Sequence, residues 1–169
     1  MAAAVAAART AFDTTDWGTN HALRKESLFQ LQAALEKEKE DLRQELIAEV
    51  GCPLLSTFGP QLDAPMREAL TWPAEQIDSF PWVRSIGQKD ALGIGPAERE
   101  VWKEPVGVVG VIVPWNFPVE IILNKLGPAL AMGNTVVLKP APDTPWNALR
   151  IGRLIAEHTD IPDGVVNVV

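Results

Sequence analysis

An alternation of apolar runs and helix patterns over residues 100–169 is the feature that most constrains the fold of this chain. In order, the segments are a strand that ends at Val113, a helix from Pro118 to Met132, a strand over 135–139, a helix from Pro145 to His158 and a strand over 165–169. The strands are rich in Val and Ile and are joined through helices, which is typical of a parallel sheet covered on both faces. The sequence therefore predicts an α/β fold, in which N-terminal helices precede the first βαβαβ unit of a Rossmann-like sheet.

The residues before this unit carry helix patterns. Residues 2–12 predict a short surface helix, and Asn20 is placed to cap a long second helix, because its side chain can accept from a first-turn N–H. Gly51 ends that helix, since glycine adopts the left-handed conformation of a C-terminal cap. The charged stretch Glu36–Arg43 within the helix is expected to form a solvated face.

Two further segments complete the first half of the chain. A helix is expected from about Gln61 to Ile77, and residues 83–99 are expected to be irregular. We divide the chain into a helical region over 1–99 and a βαβαβ unit over 100–169.

Composition excludes several classes of function. The net charge of −7 argues against a nucleic-acid surface, because no basic patch is available to neutralise phosphates. The single cysteine, Cys52, excludes an internal disulfide and favours a reducing cytoplasm. Its position at a helix C-terminus disfavours a thiolate, so a catalytic role is not expected. No membrane span is expected, and His21 and His158 lack metal-ligand spacing, so no metal site is predicted.

The most informative short motif is Pro114-Trp115-Asn116-Phe117-Pro118, which follows the first buried strand. The carboxyl ends of parallel strands form the edge at which ligands bind. An amide held between two prolines is a good hydrogen-bond donor to a carbonyl oxygen that gains negative charge during attack. The alternative is that Asn116 only caps the helix that starts at Pro118. Trp115 could line a ligand pocket or pack in the core.

Two lysines are the other candidates. Lys139 ends the second strand, where its ammonium group suits ribose hydroxyls or phosphate, although a surface lysine with a partly buried stem is the alternative. Lys125 flanks the apolar stripe of the helix that begins at Pro118, and an exposed helix lysine is its simplest interpretation.

The string around Asn116, followed by Leu138-Lys139-Pro140, resembles the start of the cofactor domain of the NAD(P)-dependent aldehyde dehydrogenase superfamily. The N-terminal helices resemble that family as well. The resemblance implies that Asn116 is the oxyanion donor, that Lys139 binds the cofactor ribose and that Lys125 belongs to a proton relay, as in some members. The implied cofactor-binding residues are Val113, Pro114, Trp115, Asn116, Lys139, Pro140, Ala141 and Pro142.

The resemblance further implies oxidation of an aldehyde to a carboxylic acid through a cysteine thioester, with NAD or NADP as acceptor. The chain is expected to be a truncated, N-terminal portion that lacks the nucleophile and the oligomerisation strands and is inactive alone, whereas intact relatives form homo-oligomers. Pro142 stands where many NAD-preferring members carry a glutamate, so the choice between NAD and NADP stays open. The alternative function is a non-catalytic remnant of a cofactor cleft.

Overall fold

The computed structural model describes residues 1–169 as eight helices and five strands in two sheets. The first group comprises α1 (Ala2–Thr14), α2 (His21–Lys37), α3 (Lys39–Val50), α4 (Leu54–Thr57), α5 (Asp63–Glu68) and α6 (Thr71–Gln76). A hairpin of β1 (Val83–Asp90) and β2 (Pro96–Trp102) follows. The last group comprises β3 (Val108–Ile112), α7 (Pro118–Ala131), β4 (Thr135–Lys139), α8 (Trp146–His158) and β5 (Val166–Val168).

The predicted βαβαβ unit is confirmed. Its strands form a parallel sheet in the order β3-β4-β5, and β4 lies in the centre with residues 135–138 buried. Helix α1 packs on all three strands, α7 packs on β3 and β4, and α8 packs on β5. The apolar stripe of α7 is fully buried; its members are Val119, Ile122, Leu123, Leu126 and Leu130. One continuous core thus joins the sheet to the helices.

Buried polar contacts fix the turn between α7 and β4 against the N-terminal helices. The guanidinium of Arg24, on α2, donates to the main-chain oxygens of Ala131 at 3.0 Å and of Trp17 at 2.9 Å. Burial lowers the pKa of Arg24 to about 10, because removing the charge from water is unfavourable. The Trp17 indole donates to the Asn134 oxygen at 3.0 Å. These bonds hold the start of the central strand in place.

The N-terminal helix and the cap of the second helix are confirmed, but the long helix is not continuous. The Asn20 side chain accepts from the Leu23 N–H at 3.0 Å. Glu38 then separates α2 from α3 within the charged stretch. Its carboxylate pairs with Arg150 and Arg153 of α8. The interruption therefore lies where the helices dock on α8.

The expectation of a solvated face at Glu36–Arg43 is also wrong at two residues, because Leu42 and Arg43 are both buried. Arg43 is only 2% exposed and donates to Glu40 at 3.0 Å and to Asp63 at 2.8 Å. The hydrogen bonds to Glu40 and to Asp63 raise the pKa of Arg43. A charged side chain is buried here because carboxylates on two elements satisfy its donors.

The segment predicted as one helix from about Gln61 to Ile77 forms two short ones, α5 and α6. Pro65 and Pro73 are the reason. Each lies in the first turn of its own helix, where its missing N–H leaves no bond unmade. The periodic apolar pattern is compatible with one helix, but two prolines in mid-helix are not.

The expectation that residues 83–99 are irregular is wrong. They form β1 and the first residues of β2, which pair as an antiparallel hairpin. A register shift lies between Ser85 and Gln88. Nearly every residue of both strands is exposed, so the sequence lacks the alternation of apolar and polar residues that marks a half-buried strand.

None of the helices has the length and apolar character needed to cross a membrane.

Candidate functional site at the carboxyl edge of the parallel sheet

The ends of β3 and β4 meet at one edge of the sheet. Ile112 is the register partner of Lys139, and the Val113 N–H donates to the Lys139 oxygen at 3.1 Å. The loop that carries Asn116 therefore leaves the sheet beside the loop that carries Pro142. The structure brings the two predicted motifs together at the edge where the topology requires them to meet.

Asn116 does not cap a helix. The N-terminal cap of α7 is Phe117, and no side chain bonds to the first-turn N–H groups. The Asn116 side chain is exposed and forms no hydrogen bond within the chain. Its amide is therefore free to donate to a ligand, which removes the alternative that the sequence left open.

Lys139 is half-buried at the end of β4. Its ammonium donates to the neighbouring Pro140 oxygen at 3.1 Å and pairs with no carboxylate. Ala141 is buried and accepts from the Thr144 N–H at 3.1 Å, which turns the chain back toward α8 and leaves Pro142 exposed. The ammonium thus lies at the sheet edge with donor capacity unused, because an ammonium has three N–H donors.

Trp115 and Lys125 are the remaining predicted residues, and both side chains are exposed. Trp115 is 56% exposed, which excludes core packing within this chain and leaves its indole available to line a pocket. Lys125 is exposed on the second turn of α7 and forms no ion pair or side-chain hydrogen bond. Its chemistry as a relay group stays a prediction.

Gln61 is a site residue that sequence reasoning missed. Its side-chain amide, from the turn before α5, donates to the main-chain oxygen of Asn116 at 2.9 Å. The two residues are 55 positions apart, and a single glutamine after Gly59-Pro60 carries no motif. No local signal in the sequence could have found this contact.

A cavity of about 400 Å³ opens between α5, α6 and the first three turns of α7. Its lining combines two carboxylates with an indole, namely Glu68, Glu120 and Trp72. Asn124 also lines it and donates to Glu120 at 2.8 Å. Because Glu120 lies in the first turn of α7, this acidic cavity begins close to the loop of Asn116.

Cys52 is not a nucleophile in this structure. It is 8% exposed, and burial raises the pKa of its thiol, which disfavours the reactive thiolate. This agrees with the expectation from its place after α3. No group of His, Cys, Asp and Glu side chains could hold a metal ion.

Comparison with known proteins gives consistent matches along the whole chain. The model of the aldehyde dehydrogenase family matches residues 1–169. The chain is 37% identical over 167 residues to the NADP/NAD-dependent aldehyde dehydrogenase PuuC of Escherichia coli, covering 98% of this chain and 32% of that protein. It is 40% identical over 167 residues to the aminoacetaldehyde dehydrogenase of Pseudomonas aeruginosa, with the same coverage of both chains.

Solved structures agree with the sequence matches. The Mycobacterium tuberculosis aldehyde dehydrogenase complexed with NAD+ superposes with a TM-score of 0.87 at 36% identity, covering 99% of this chain and 33% of that one. The chain therefore spans about a third of the length of the relatives it matches.

Proposed function

The chain belongs to the aldehyde dehydrogenase family, and we propose that it forms the amino-terminal part of an enzyme that oxidises an aldehyde to a carboxylic acid with NAD or NADP. The observation that carries this proposal is the free amide of Asn116 at the carboxyl edge of the sheet, beside the half-buried Lys139. A neutral donor and a cation at one edge suit a reaction that develops negative charge on oxygen next to an anionic cofactor.

In this proposal, Asn116 donates to the aldehyde oxygen as a thiolate adds to the carbonyl carbon. The amide stabilises the tetrahedral adduct more than the planar aldehyde, because the oxygen carries full negative charge only in the adduct. The thiolate comes from outside these 169 residues, since the thiol of Cys52 is buried. Lys125 is the candidate for moving protons to and from this region along the exposed face of α7.

The sheet edge also fits the cofactor. The Lys139 ammonium can donate to ribose hydroxyls, and the exposed Trp115 and Pro142 can line the same pocket with Val113, Pro114, Pro140 and Ala141. A nicotinamide cofactor held here would supply the hydride acceptor, and water would then hydrolyse the resulting thioester to the carboxylic acid and release the thiol. No carboxylate stands at Pro142 itself, although the exposed Asp143 follows it, so the proposal covers both NAD and NADP.

The acidic cavity supports a narrower substrate class. Two carboxylates and an indole attract a cation, through charge and through the face of the ring. We assign the cavity to the approach of aldehydes that carry an ammonium or a similar cationic group. The 40% identity to an enzyme named for aminoacetaldehyde supports the same class.

The proposal also covers the cellular compartment, the partners and the oligomeric state of the enzyme. We place the enzyme in the cytoplasm, because the one cysteine of these 169 residues is a free thiol, which fits a reducing compartment. We assign it no nucleic-acid partner, given the net charge of −7, and a homo-oligomeric state, as the resemblance implies.

The test is NAD(P)H formation by the enzyme that contains this segment, with a cationic and an uncharged aldehyde of equal length. We expect turnover of both and a lower KM for the cationic one. Glu120→Gln should raise that KM about 3- to 10-fold and leave the uncharged substrate unchanged, as loss of a partly exposed charge contact costs about 1 kcal/mol. Absence of turnover with any aldehyde would favour the non-catalytic remnant instead. Equal KM changes for both substrates would contradict the proposal that the cavity favours cationic aldehydes.

A further inference from the structure

The loop that carries Asn116 has almost no main-chain support of its own. No main-chain hydrogen bond forms at residues 114–116. The bonds resume at the Val113 N–H on one side and at the Phe117 oxygen, which accepts from Ile121 at 3.0 Å, on the other. The two prolines limit the torsions of the loop, but they do not fix its position relative to the rest of the molecule.

Gln61 supplies the missing attachment. Its Nε2 donates to the main-chain oxygen of Asn116 at 2.9 Å, which is the one hydrogen bond that Asn116 makes in this chain. Gln61 is only 5% exposed, and its main-chain N–H donates to the Ser56 oxygen at 3.1 Å. The donor is therefore held by the helical region and does not move with the loop.

The other end of the Gln61 amide argues against simple packing. Its Oε1 is buried without a hydrogen-bond partner. An unpaired buried acceptor is unfavourable, so an apolar side chain would fill the same space better. What the amide supplies, and an apolar side chain cannot, is the donor to Asn116.

We propose that Gln61 is a positioning residue for Asn116, which it holds through the main-chain carbonyl so that the side-chain amide meets the developing oxyanion. This inference rests on the proposed function. Gln61 touches no reacting atom, so its effect must pass through Asn116. A shift of the donor by about 1 Å can cost about 100-fold in rate.

The experiment is a double-mutant cycle in the enzyme that contains this segment. Gln61→Met removes the donor while keeping a flexible chain of similar length. We expect kcat to fall about 10- to 100-fold, with the Kd for NAD(P) unchanged. In an Asn116→Ala background the same substitution should lower kcat no further, because the group it positions is gone. Equal losses in both backgrounds would overturn the proposal.

Gln32 offers a matched control. Its Nε2 also donates to a main-chain oxygen, that of Met66 at 2.7 Å, and in addition to the Glu36 carboxylate at 3.1 Å, and its Oε1 is also buried without a partner. Gln32→Met makes the same chemical change away from the loop, so kcat should stay within twofold of the wild type. A loss equal to that of Gln61→Met would show a general packing effect and overturn the proposal.

A readout apart from activity separates this inference from the proposed function. The main-chain order parameters of residues 115–117, measured by 15N NMR relaxation, should be lower in the Gln61→Met protein than in the wild type, and unchanged in the Gln32→Met protein. Unchanged order parameters in the Gln61 variant would overturn the anchoring. Lower order parameters in an enzyme whose kcat is unaffected by Asn116→Ala would uphold the anchoring and reject the proposed role of Asn116. If Gln61→Met fails to fold, Gln61→Glu replaces it: its carboxyl donates only when protonated, so kcat relative to the wild type should rise as pH falls.

Discussion

At the scale of single residues, the structure decides between alternatives that the sequence leaves open. Asn116 caps no helix, Trp115 is not a core residue, and Cys52 is buried. Each of these outcomes depends on what surrounds a side chain in three dimensions, which a motif does not contain. For Lys139 both alternatives, a cofactor contact and a surface lysine, stay open, because its stem is half-buried and its ammonium, which donates to the Pro140 oxygen, has further N–H donors unused.

The cofactor contact is testable at Lys139. In the enzyme that contains this segment, Lys139→Ala should weaken NAD(P) binding about 10- to 150-fold, because a hydrogen bond to a charged group contributes about 1.5–3 kcal/mol. The change in kcat should be small by comparison. Titration of both cofactors against the wild type and the variant measures the Kd values. Unchanged affinities would make Lys139 a surface lysine and place the cofactor elsewhere.

Pro142→Glu provides the paired variant on the same loop. A carboxylate at this exposed position should accept from ribose hydroxyls and repel a 2′-phosphate, so the ratio of NADP to NAD affinity should fall. The same titrations measure that ratio. An unchanged ratio would show that residue 142 does not lie beside the adenosine ribose of the bound cofactor.

At the scale of elements, the site depends on how closely α7 packs on the segment from α5 to α6. Gly127 makes this approach possible, since a Cβ there would lie 2.0 Å from the Ala69 oxygen. Gly127→Ala should therefore lower stability by about 2 kcal/mol or more, because overpacking outweighs the gain of about 1 kcal/mol in helix propensity. Thermal unfolding should show a drop in Tm of about 4–8 °C.

Gly110, within β3, is the control for that substitution. A Cβ at Gly110 would meet nothing within 4 Å, and its φ is not positive. Gly110→Ala should leave Tm within about 2 °C of the wild type. Equal effects of the two substitutions would show that the contact between Gly127 and Ala69 does not limit the packing.

The sequence predicts some elements far better than others, and the reason is burial. The central strand β4 and helix α7 bury apolar side chains in regular patterns, so their bounds are close to those expected. The hairpin of β1 and β2 buries almost nothing and leaves no such pattern. The site divides in the same way: Asn116 and Lys139 lie in motifs at strand ends, whereas Gln61 reaches the loop through tertiary contact alone.

At the scale of the whole molecule, the 169 residues span about a third of the length of the relatives they match. The 169-residue protein alone should form no NAD(P)H with any aldehyde, because its one thiol is buried and has a raised pKa. Absorbance at the NAD(P)H band over hours, with cationic and uncharged aldehydes, checks this. Turnover that disappears in a Cys52→Ala variant would contradict the conclusion that Cys52 is not a nucleophile.

Stabilisation of the oxyanion by Asn116 is tested by kcat of an Asn116→Ala variant of the enzyme that contains this segment. We expect kcat to fall about 100- to 1000-fold, with cofactor Kd and Tm nearly unchanged, because the donor acts on charge that develops only in the transition state. An unchanged kcat in a variant that binds cofactor normally would contradict the role of Asn116 as oxyanion donor.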